Sequence, residues 1–277
     1  MSADSSTFTV IDGFRCYAPH LASTSDHYPK EGFEVSANLE DASFWCQARS
    51  RIVRDVIIRF TDESKHLAML EIGCGIGGLI AELRRFAHLR VTASDISLEG
   101  LRFARSRFPD IEFIQLDAAA MPFRSQFDVI GAFDVLEHLD ADERAMTGVH
   151  QALRANGLFI VTVPQHPWMW SPLDDIVCHR RRYTRSDLLA KLSRAGFAVL
   201  FASSFVTAAF PAMVASRLIG RRRRLAADRQ TAFAAQVTLP PFVNGACDWL
   251  MRIDEAAIRQ GISLPFGGSL LAVARKQ

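Results

Sequence analysis

The sequence of 277 residues is poor in cysteine and in net charge. Its five cysteines are scattered, with no Cys-x-x-Cys pair and no metal-finger spacing, which favours structural thiols in a reducing compartment over disulfides. A net charge of +2 is too small to predict nucleic-acid binding. The first ten residues are polar and acidic, unlike a secretory signal, and no internal repeat is present. These absences predict a cytoplasmic globular protein that does not bind nucleic acid.

One long hydrophobic run is present, but it does not predict a membrane span. It has 22 residues without charge from Ala195, and the four arginines Arg221–Arg224 follow it closely. Its first half fits a buried strand, and Pro211 interrupts the remainder, which is too short to cross a bilayer. Three interpretations remain open for that remainder: a helical cap over a ligand cleft, a dimer face, or an interfacial helix on anionic lipid.

Short apolar runs alternate with helical patterns through the middle of the chain. This alternation predicts a parallel α/β sheet with right-handed crossovers. Ligands of such sheets bind at the carboxyl ends of the strands, so the residues that follow each run are the candidates for function. The predicted strands are His66–Gly73, Leu89–Asp95, Ile111–Asp117, Phe127–Asp134, Leu158–Pro164, Gly196–Phe205 and Ser269–Lys276.

A glycine-rich loop, "EIGCGIGG", follows the first of these strands. Gly73, Gly75 and Gly77 would allow a tight turn and a close approach of backbone to a ligand. Gly73, Gly75 and Gly78 also satisfy G-x-G-x-x-G, so a nicotinamide-dependent oxidoreductase is an alternative.

Three acids accompany the glycine loop at successive strand ends. Glu71 precedes the first glycine, Asp95 ends the second strand, and Asp117 ends the third. A carboxylate at the position of Asp95 can accept both hydroxyls of a ribose. The set suits a ligand with a ribose and a cationic centre but no pyrophosphate.

From about Leu67 to Phe197, the sequence resembles the small-molecule branch of the class I S-adenosylmethionine-dependent methyltransferases. The resemblance rests on "LEIGCGIGG", "ASDIS", "LDAAAMPF", "FDVIGAFDVLEHL", "LRANGLFIVTVP" and "RRYTRSDLLAKLSRAGF", in that order. It implies a Rossmann-like, seven-stranded, mostly parallel sheet with an antiparallel last strand, and S-adenosylmethionine as the cofactor. A non-catalytic module that binds S-adenosylmethionine is a further alternative.

The resemblance also assigns cofactor contacts. The glycine loop and Glu71 would hold the methionine moiety, Asp95 the ribose, and Ile96 the adenine face. Arg49 would neutralise the cofactor carboxylate and Trp45 would cover the site, as in some relatives with a similar helix. The implied cofactor residues are Arg49, Glu71, Gly73, Cys74, Gly75, Gly77, Asp95, Ile96, Asp117, Ala118 and Phe133.

Histidines are the candidates for removing a proton from a hydroxyl or amine acceptor. His179 is the first choice, since it lies beside an arginine cluster after strand five, and His138 is the second. No metal is assigned. A weaker alternative is a divalent ion at Asp134, Glu137 and His138, which resemble the acid-x-x-Glu-His cluster of ubiquinone-biosynthesis O-methyltransferases and share one face of a helix start.

The acceptor is predicted to be a small or lipid-like molecule, with oxygen as the atom methylated. The Trp- and Pro-rich loop Val163–Asp175 would line an apolar cavity, and the arginines after it would bind an anionic group. Possible contacts to the acceptor are assigned to Trp45, His166, Trp168, Arg180 and Arg181.

Four regions follow from these patterns. Residues 1–66 are predicted to form an N-terminal helical lid, 67–205 the cofactor-binding core, 206–261 a helical insertion between strands six and seven, and 262–277 the last strand of the core. The insertion is far longer than a hairpin needs, which favours a functional element. Its residues 206–224 are the candidate for peripheral contact with the inner membrane surface or for a homodimer face.

Overall fold

The computed structural model describes residues 7–22, 37–38, 42–211, 213–215 and 239–277. The predicted helix through 206–219 falls partly outside these ranges, and Arg221–Arg224 fall wholly outside them. The membrane and dimer predictions made for 206–224 therefore concern residues that are largely not described.

A nine-stranded sheet forms the centre of the described structure. Its order is β1-β2-β5-β4-β3-β6-β7-β9-β8, with parallel pairing from β2 through β7 and antiparallel pairing at both edges. The strands are β1 Thr9–Ile11, β2 Phe14–Cys16, β3 Leu67–Ile72, β4 Leu89–Asp95, β5 Glu112–Gln115, β6 Phe127–Phe133, β7 Leu153–Pro164, β8 Phe197–Phe205 and β9 Ser269–Lys276.

Helices cover both faces of this sheet, which explains why most residues of its central strands are buried. On one face lie α1 Phe44–Phe60, α2 Ile80–Leu83, α3 Leu98–Arg107 and α7 Pro241–Arg259. The other face is covered by α4 Asp142–Ala152 and α6 Arg185–Arg194, and the short α5 Pro172–Ile176 follows β7. The two faces have separate apolar cores, since alternate residues of one strand point to opposite sides.

Local sequence explains where these helices begin and end. Ser97 caps α3, its hydroxyl accepting the amide of Gly100 at 3.2 Å, and Pro109 follows the end of the helix. Thr184 caps α6 in the same way, accepting from the amide of Asp187 at 3.1 Å. Pro241 starts α7, at a position where proline loses no helical hydrogen bond.

The α/β class, the parallel sheet and the antiparallel last strand are confirmed. The count of seven strands is wrong, because the N-terminal segment adds two. β1 and β2 form a hairpin, and β2 pairs in parallel with β5 through Arg15 and Cys16. Residues 1–66 thus contain a sheet extension as well as the helix α1. Three-residue strands leave too little pattern to be read without their partner.

Two helices also differ from their predicted bounds. The predicted helix from Gly77 to Phe86 is reduced to the four residues of α2. The helix predicted over Asp140–Ala155 ends at Ala152, because Leu153 already pairs with Phe127 of β6. Among the described helices, none combines the length and the apolar character that crossing a membrane would require.

Candidate functional site

The glycine loop between β3 and α2 has the left-handed backbone that its composition predicts. Gly73, Gly75 and Gly77 have φ values of 70°, 53° and 86°. At Gly73 a β-carbon would overlap the side chain of Val135, in the turn after β6. The loop therefore packs directly against the end of the neighbouring strand, and glycine is required there for space as well as for conformation.

Asp95 fixes this loop from the end of β4. Its Oδ2 accepts the amide of Gly75 at 2.9 Å, and its Oδ1 accepts the amide of Ser97 at 2.8 Å. The amide of Cys74 binds the carbonyl of Ser94 at 2.9 Å. One carboxylate thus joins the glycine loop to the start of α3, and two loop amides are directed to protein oxygens.

The other acids predicted from the strand ends lie at the same edge. Glu71 is buried near the end of β3, and Asp117 follows β5, where its Oδ1 accepts the amide of Ala119 at 2.8 Å. Burial, with the negative charges of Asp95 and Glu71, raises the pKa of the Cys74 thiol, so this thiol stays protonated. Ala118 is buried beside Asp117.

The N-terminal segment reaches this edge through Gln115, a contact that the sequence did not predict. The buried amide of Gln115 accepts from the backbone of Ala18 at 3.0 Å and donates to the Ala18 carbonyl at 2.9 Å. It also donates to the carbonyl of Ile96 at 3.3 Å. Gln115 therefore ties the segment after β2 to the residue predicted to contact adenine.

At the end of β6, Phe133 is buried and Asp134 has a φ of 58°. Asp134 Oδ2 accepts from Arg49 Nη1 of α1 at 2.7 Å and from Thr162 Oγ1 of β7 at 3.2 Å. The guanidinium of Arg49 also lies 4.8 Å from the ring of Trp45. Arg49 thus reaches the sheet edge with Asp134 as its anionic partner, and Trp45 lies beside it. Their contacts with a cofactor remain predictions.

Beyond Asp134, the short turn Leu136–His138 brings Glu137 and His138 to His179. Glu137 is 0% exposed, and its Oε1 lies 3.9 Å from His179 Nε2. The rings of His138 and His179 stand edge to face with centroids 4.8 Å apart. Burial and the charge of Asp134 raise the pKa of the Glu137 carboxyl well above its usual value.

Asp174 of α5, which the sequence analysis did not select, orients His179. Its Oδ1 lies 2.9 Å from His179 Nδ1 and accepts from Arg182 Nε at 2.7 Å. Its Oδ2 accepts the Ser171 amide at 2.8 Å. Asp174 and Arg182 are both buried, so the imidazole is held by a rigid carboxylate.

The two arginines predicted to bind the acceptor have protein partners. Arg181 Nη1 donates to Asp142 Oδ1 at 2.8 Å and Nη2 to the carbonyl of Asp140 at 2.9 Å. Arg180 is half exposed, with its Nε 3.4 Å from Asp140 Oδ1. Arg181 thus supports the start of α4, while Arg180 remains accessible.

His166 and Trp168 lie together in an aromatic cluster. The ring of His166 is 5.4 Å from Trp168, 5.5 Å from Phe210 and 4.8 Å from Phe266. Burial lowers the pKa of His166. The cluster joins the loop after β7 to the start of the insertion and to the segment that leads into β9.

Comparisons with known proteins show similarity of sequence and of fold. Residues 70–161 match a family model described as a methyltransferase domain. A Mycobacterium tuberculosis protein named "Probable S-adenosylmethionine-dependent methyltransferase" is 28% identical over 171 residues, covering 60% of this chain and 60% of the relative. The demethylmenaquinone methyltransferase of Chlorobaculum parvum is 31% identical over 100 residues, which are 36% of this chain and 42% of that protein.

A solved structure has the same fold. The S-adenosylmethionine-dependent methyltransferase of Mesorhizobium loti aligns with a TM-score of 0.51 and 19% identity, over 80% of this chain and 96% of its own. Over β3 to β7, this chain is thus similar in sequence to S-adenosylmethionine-dependent methyltransferases, and it shares the fold of one of them. Arg49, His179 and residues 206–261 lie outside the matched region.

The sequence analysis missed three residues that shape the site: Gln115, Asp174 and Arg182. Arg182 lies just before α6 and holds Asp174 through its Nε. Asp174 follows the Ser171-Pro172 pair, a helix-start signal that marks it as a capping residue. Only the fold shows that the same carboxylate also meets His179.

Proposed function

We propose that this chain transfers the methyl group of S-adenosylmethionine to an oxygen of a small or lipid-like acceptor. The observation that carries the proposal is the bridge that Asp95 makes between the glycine loop and α3. This bridge puts a carboxylate at the strand end where a ribose would lie, with Glu71 and Asp117 at the neighbouring strand ends.

The donors and acceptors at this edge fit S-adenosylmethionine. Carboxylates accept hydrogen bonds from ribose hydroxyls and from an ammonium group, and Glu71 and Asp95 lie where these groups would be. The cofactor supplies a methyl group already activated by positive sulfur, so the protein's main task is to align donor and acceptor. In the proposal, Arg49 reaches the cofactor carboxylate from α1 while Asp134 holds its guanidinium in place.

The same geometry counts against a nicotinamide enzyme. A dinucleotide pyrophosphate needs free amides in the glycine loop and at the following helix start. Here the amides of Gly75 and Cys74 bind Asp95 and Ser94. A carboxylate at the loop would also repel a pyrophosphate.

Transfer to a hydroxyl oxygen requires that the hydroxyl proton leave. We assign its removal to the cluster of Glu137, His138 and His179. Glu137 follows Asp134, the partner of Arg49, by three residues. The cluster lies at the carboxyl end of β6, on the same edge as the proposed cofactor residues. His179 is held there by Asp174, so its Nε2 has a fixed direction.

Exposed apolar side chains on α7 support a lipid-like acceptor. Phe242 is 87% exposed and Trp249 is 68% exposed, and both lie on one face of the helix. The start of α7 adjoins the start of α1, where the Phe44 amide donates to Asn244 Oδ1 at 3.0 Å. We extend the proposal to a lid within residues 1–66 and a cap within 206–261, through which an apolar acceptor enters. The exposed face would also suit a homodimer or a membrane surface.

Two measurements test the function. Calorimetry should show binding of S-adenosylhomocysteine and none of NAD. Radiolabelled S-adenosylmethionine, incubated with the protein and with lipid and polar extracts of the host, should then yield a labelled product. NAD binding would overturn the cofactor, and binding without any labelled product would indicate a non-catalytic module. Flotation with anionic vesicles and sedimentation analysis separate membrane contact from dimerisation.

A further inference from the structure

The cluster of Glu137, His138 and His179 has the composition of a metal site. One ligand atom from each residue lies within 4.8 Å of the other two. Neither carboxylate oxygen of Glu137 receives a hydrogen bond from the residues that the structure describes, although the side chain is almost fully buried. A buried carboxylate without donors is costly, and a bound cation would remove that cost.

The hydrogen bond between Asp174 and His179 gives the imidazole the orientation of a metal ligand. Since Asp174 Oδ1 lies 2.9 Å from Nδ1, that nitrogen carries the proton and Nε2 presents its lone pair toward Glu137. A histidine that binds a metal through one ring nitrogen commonly donates the N–H of its other nitrogen to a carboxylate in this way. Asp174 is fixed in turn by Arg182 and Ser171.

The local charge also favours a cation. Three carboxylates lie in or beside the cluster, those of Asp134, Glu137 and Asp174. Two guanidiniums, those of Arg49 and Arg182, provide positive charge there. When Glu137 is ionised and the imidazoles are neutral, these groups carry a net charge of −1. A bound divalent ion would change the net charge of these groups from negative to positive.

Asp134, the first acid of the sequence pattern Asp-x-x-Glu-His, is not part of this set. Its carboxylate is held by Arg49 at 2.7 Å and by Thr162 at 3.2 Å. The third ligand is instead His179, which follows β7 and is distant in sequence. The site inferred from the structure therefore differs from the alternative site of Asp134, Glu137 and His138 in one residue, with His179 in place of Asp134.

We propose that Glu137, His138 and His179 bind one divalent transition-metal ion of the zinc type. Two imidazole nitrogens and one carboxylate oxygen suit Zn²⁺, Co²⁺ or Mn²⁺ better than Mg²⁺ or Ca²⁺, which prefer oxygen ligands. Ligands bound at about 2.0–2.2 Å lie roughly 3–4 Å apart, so the cluster must contract by about 1 Å on binding. Three protein ligands leave a coordination position open for an acceptor oxygen.

The role of the ion rests on the proposed function, but its binding does not. A hydroxyl bound at the open position releases its proton to solvent water more readily, because the ion stabilises the oxyanion that forms. His179 then acts as a ligand, and Asp174 as a positioning residue for it.

The test measures metal binding directly, on the full chain freed of metal with a chelator. Titration with Zn²⁺ and with Co²⁺ should show one ion per chain, with visible Co²⁺ absorption of a nitrogen-containing site and little response to Mg²⁺. Glu137→Gln and His179→Gln should each weaken binding at least 100-fold. Asp174→Asn should weaken it by roughly 10- to 100-fold, as is usual for such partners. Glu143→Gln, an exposed acid of the nearby α4, is the control and should change nothing.

The outcomes separate this inference from the proposed function. No stoichiometric ion in the wild-type protein, or full binding in both Glu137→Gln and His179→Gln, would overturn the metal site. Circular dichroism of each variant shows whether it is folded, and His138→Gln replaces any that is not. Binding of S-adenosylhomocysteine by the metal-free protein tests the proposed function alone, since the cofactor residues lie outside the cluster.

Discussion

Arg49 of α1 donates to Asp134 at the end of β6 across 2.7 Å, in an ion pair whose side chains are 13% and 14% exposed. The pair joins the N-terminal helix to the sheet edge beside the glycine loop, since Val135, the next residue, packs against Gly73. It also holds Asp134 in a left-handed conformation that is costly for a residue with a side chain. One contact thus connects α1, the glycine loop and the turn that leads to Glu137 and His138.

Replacing Arg49 with glutamine should therefore affect both stability and cofactor binding. The variant leaves Asp134 without its cation, which should cost about 2 kcal/mol, somewhat below the loss of a fully buried pair. Binding of S-adenosylhomocysteine should weaken about tenfold, or 1.4 kcal/mol. Urea unfolding and calorimetry measure the two effects. The double variant with Asp134→Asn should regain part of the stability and none of the affinity, and equal affinity in wild type and Arg49→Gln would refute the cofactor role.

A second prediction concerns Asp95. Asp95→Asn retains one carbonyl oxygen and replaces the other with an amide that cannot accept the Gly75 or Ser97 amide. We expect affinity for S-adenosylhomocysteine to fall at least tenfold and the melting temperature to fall by a few degrees. Asp128→Asn is a matched control. Asp128 lies near the amino end of β6, at the opposite ends of the strands from Asp95, and it accepts the Ala68 amide. Loss of stability is expected in both, and loss of affinity in Asp95→Asn alone.

The sequence was sufficient for the central fold because each core strand is a separate apolar run with a turn signal after it. β9 was predicted with the bounds that the structure has, Ser269–Lys276. The N-terminal hairpin was missed because its strands have three residues each and are held by β5, about 100 residues away. No local sequence pattern indicates pairing with such a distant strand.

The same distinction applies to the candidate site. Residues at strand ends, such as Asp95 and Asp117, could be selected because strand order alone places them at one edge. The partners of His179 could not, since Asp174 and Glu137 meet it only through the packing of the loop after β7 on the turn after β6. Arg181, which was predicted to contact the acceptor, forms an ion pair with Asp142 that no local pattern indicates, and its contact with an acceptor stays a prediction.

Two glycines give opposite predictions for the same substitution. At Gly73 the φ of 70° and the overlap with Val135 make Gly73→Ala unfavourable, by about 2 kcal/mol or more for strain and packing together. Gly245 in α7 has nothing within 4 Å of the position of a β-carbon, so Gly245→Ala should stabilise the protein by about 0.5–1 kcal/mol. Thermal and urea unfolding measure both changes. A stable Gly73→Ala variant with full cofactor affinity would contradict the packing described for the loop.

His150 and His166 should each lower the stability of this protein as the pH falls below about 6.5, the ordinary pKa of histidine. Burial and the charge of Lys276 lower the pKa of His150, against a hydrogen bond to the backbone of Gly196, and burial likewise lowers that of His166. Below pH 6.5 these histidines take up protons in the unfolded chain but not in the folded protein, so acid favours unfolding. The limit is about 1.4 kcal/mol per pH unit for each group.

Urea unfolding from pH 7.5 to 5 measures the slope of the unfolding free energy against pH. His150→Gln should lose less stability than wild type over this range. Equal slopes in wild type and His150→Gln would show that His150 is not among the groups responsible.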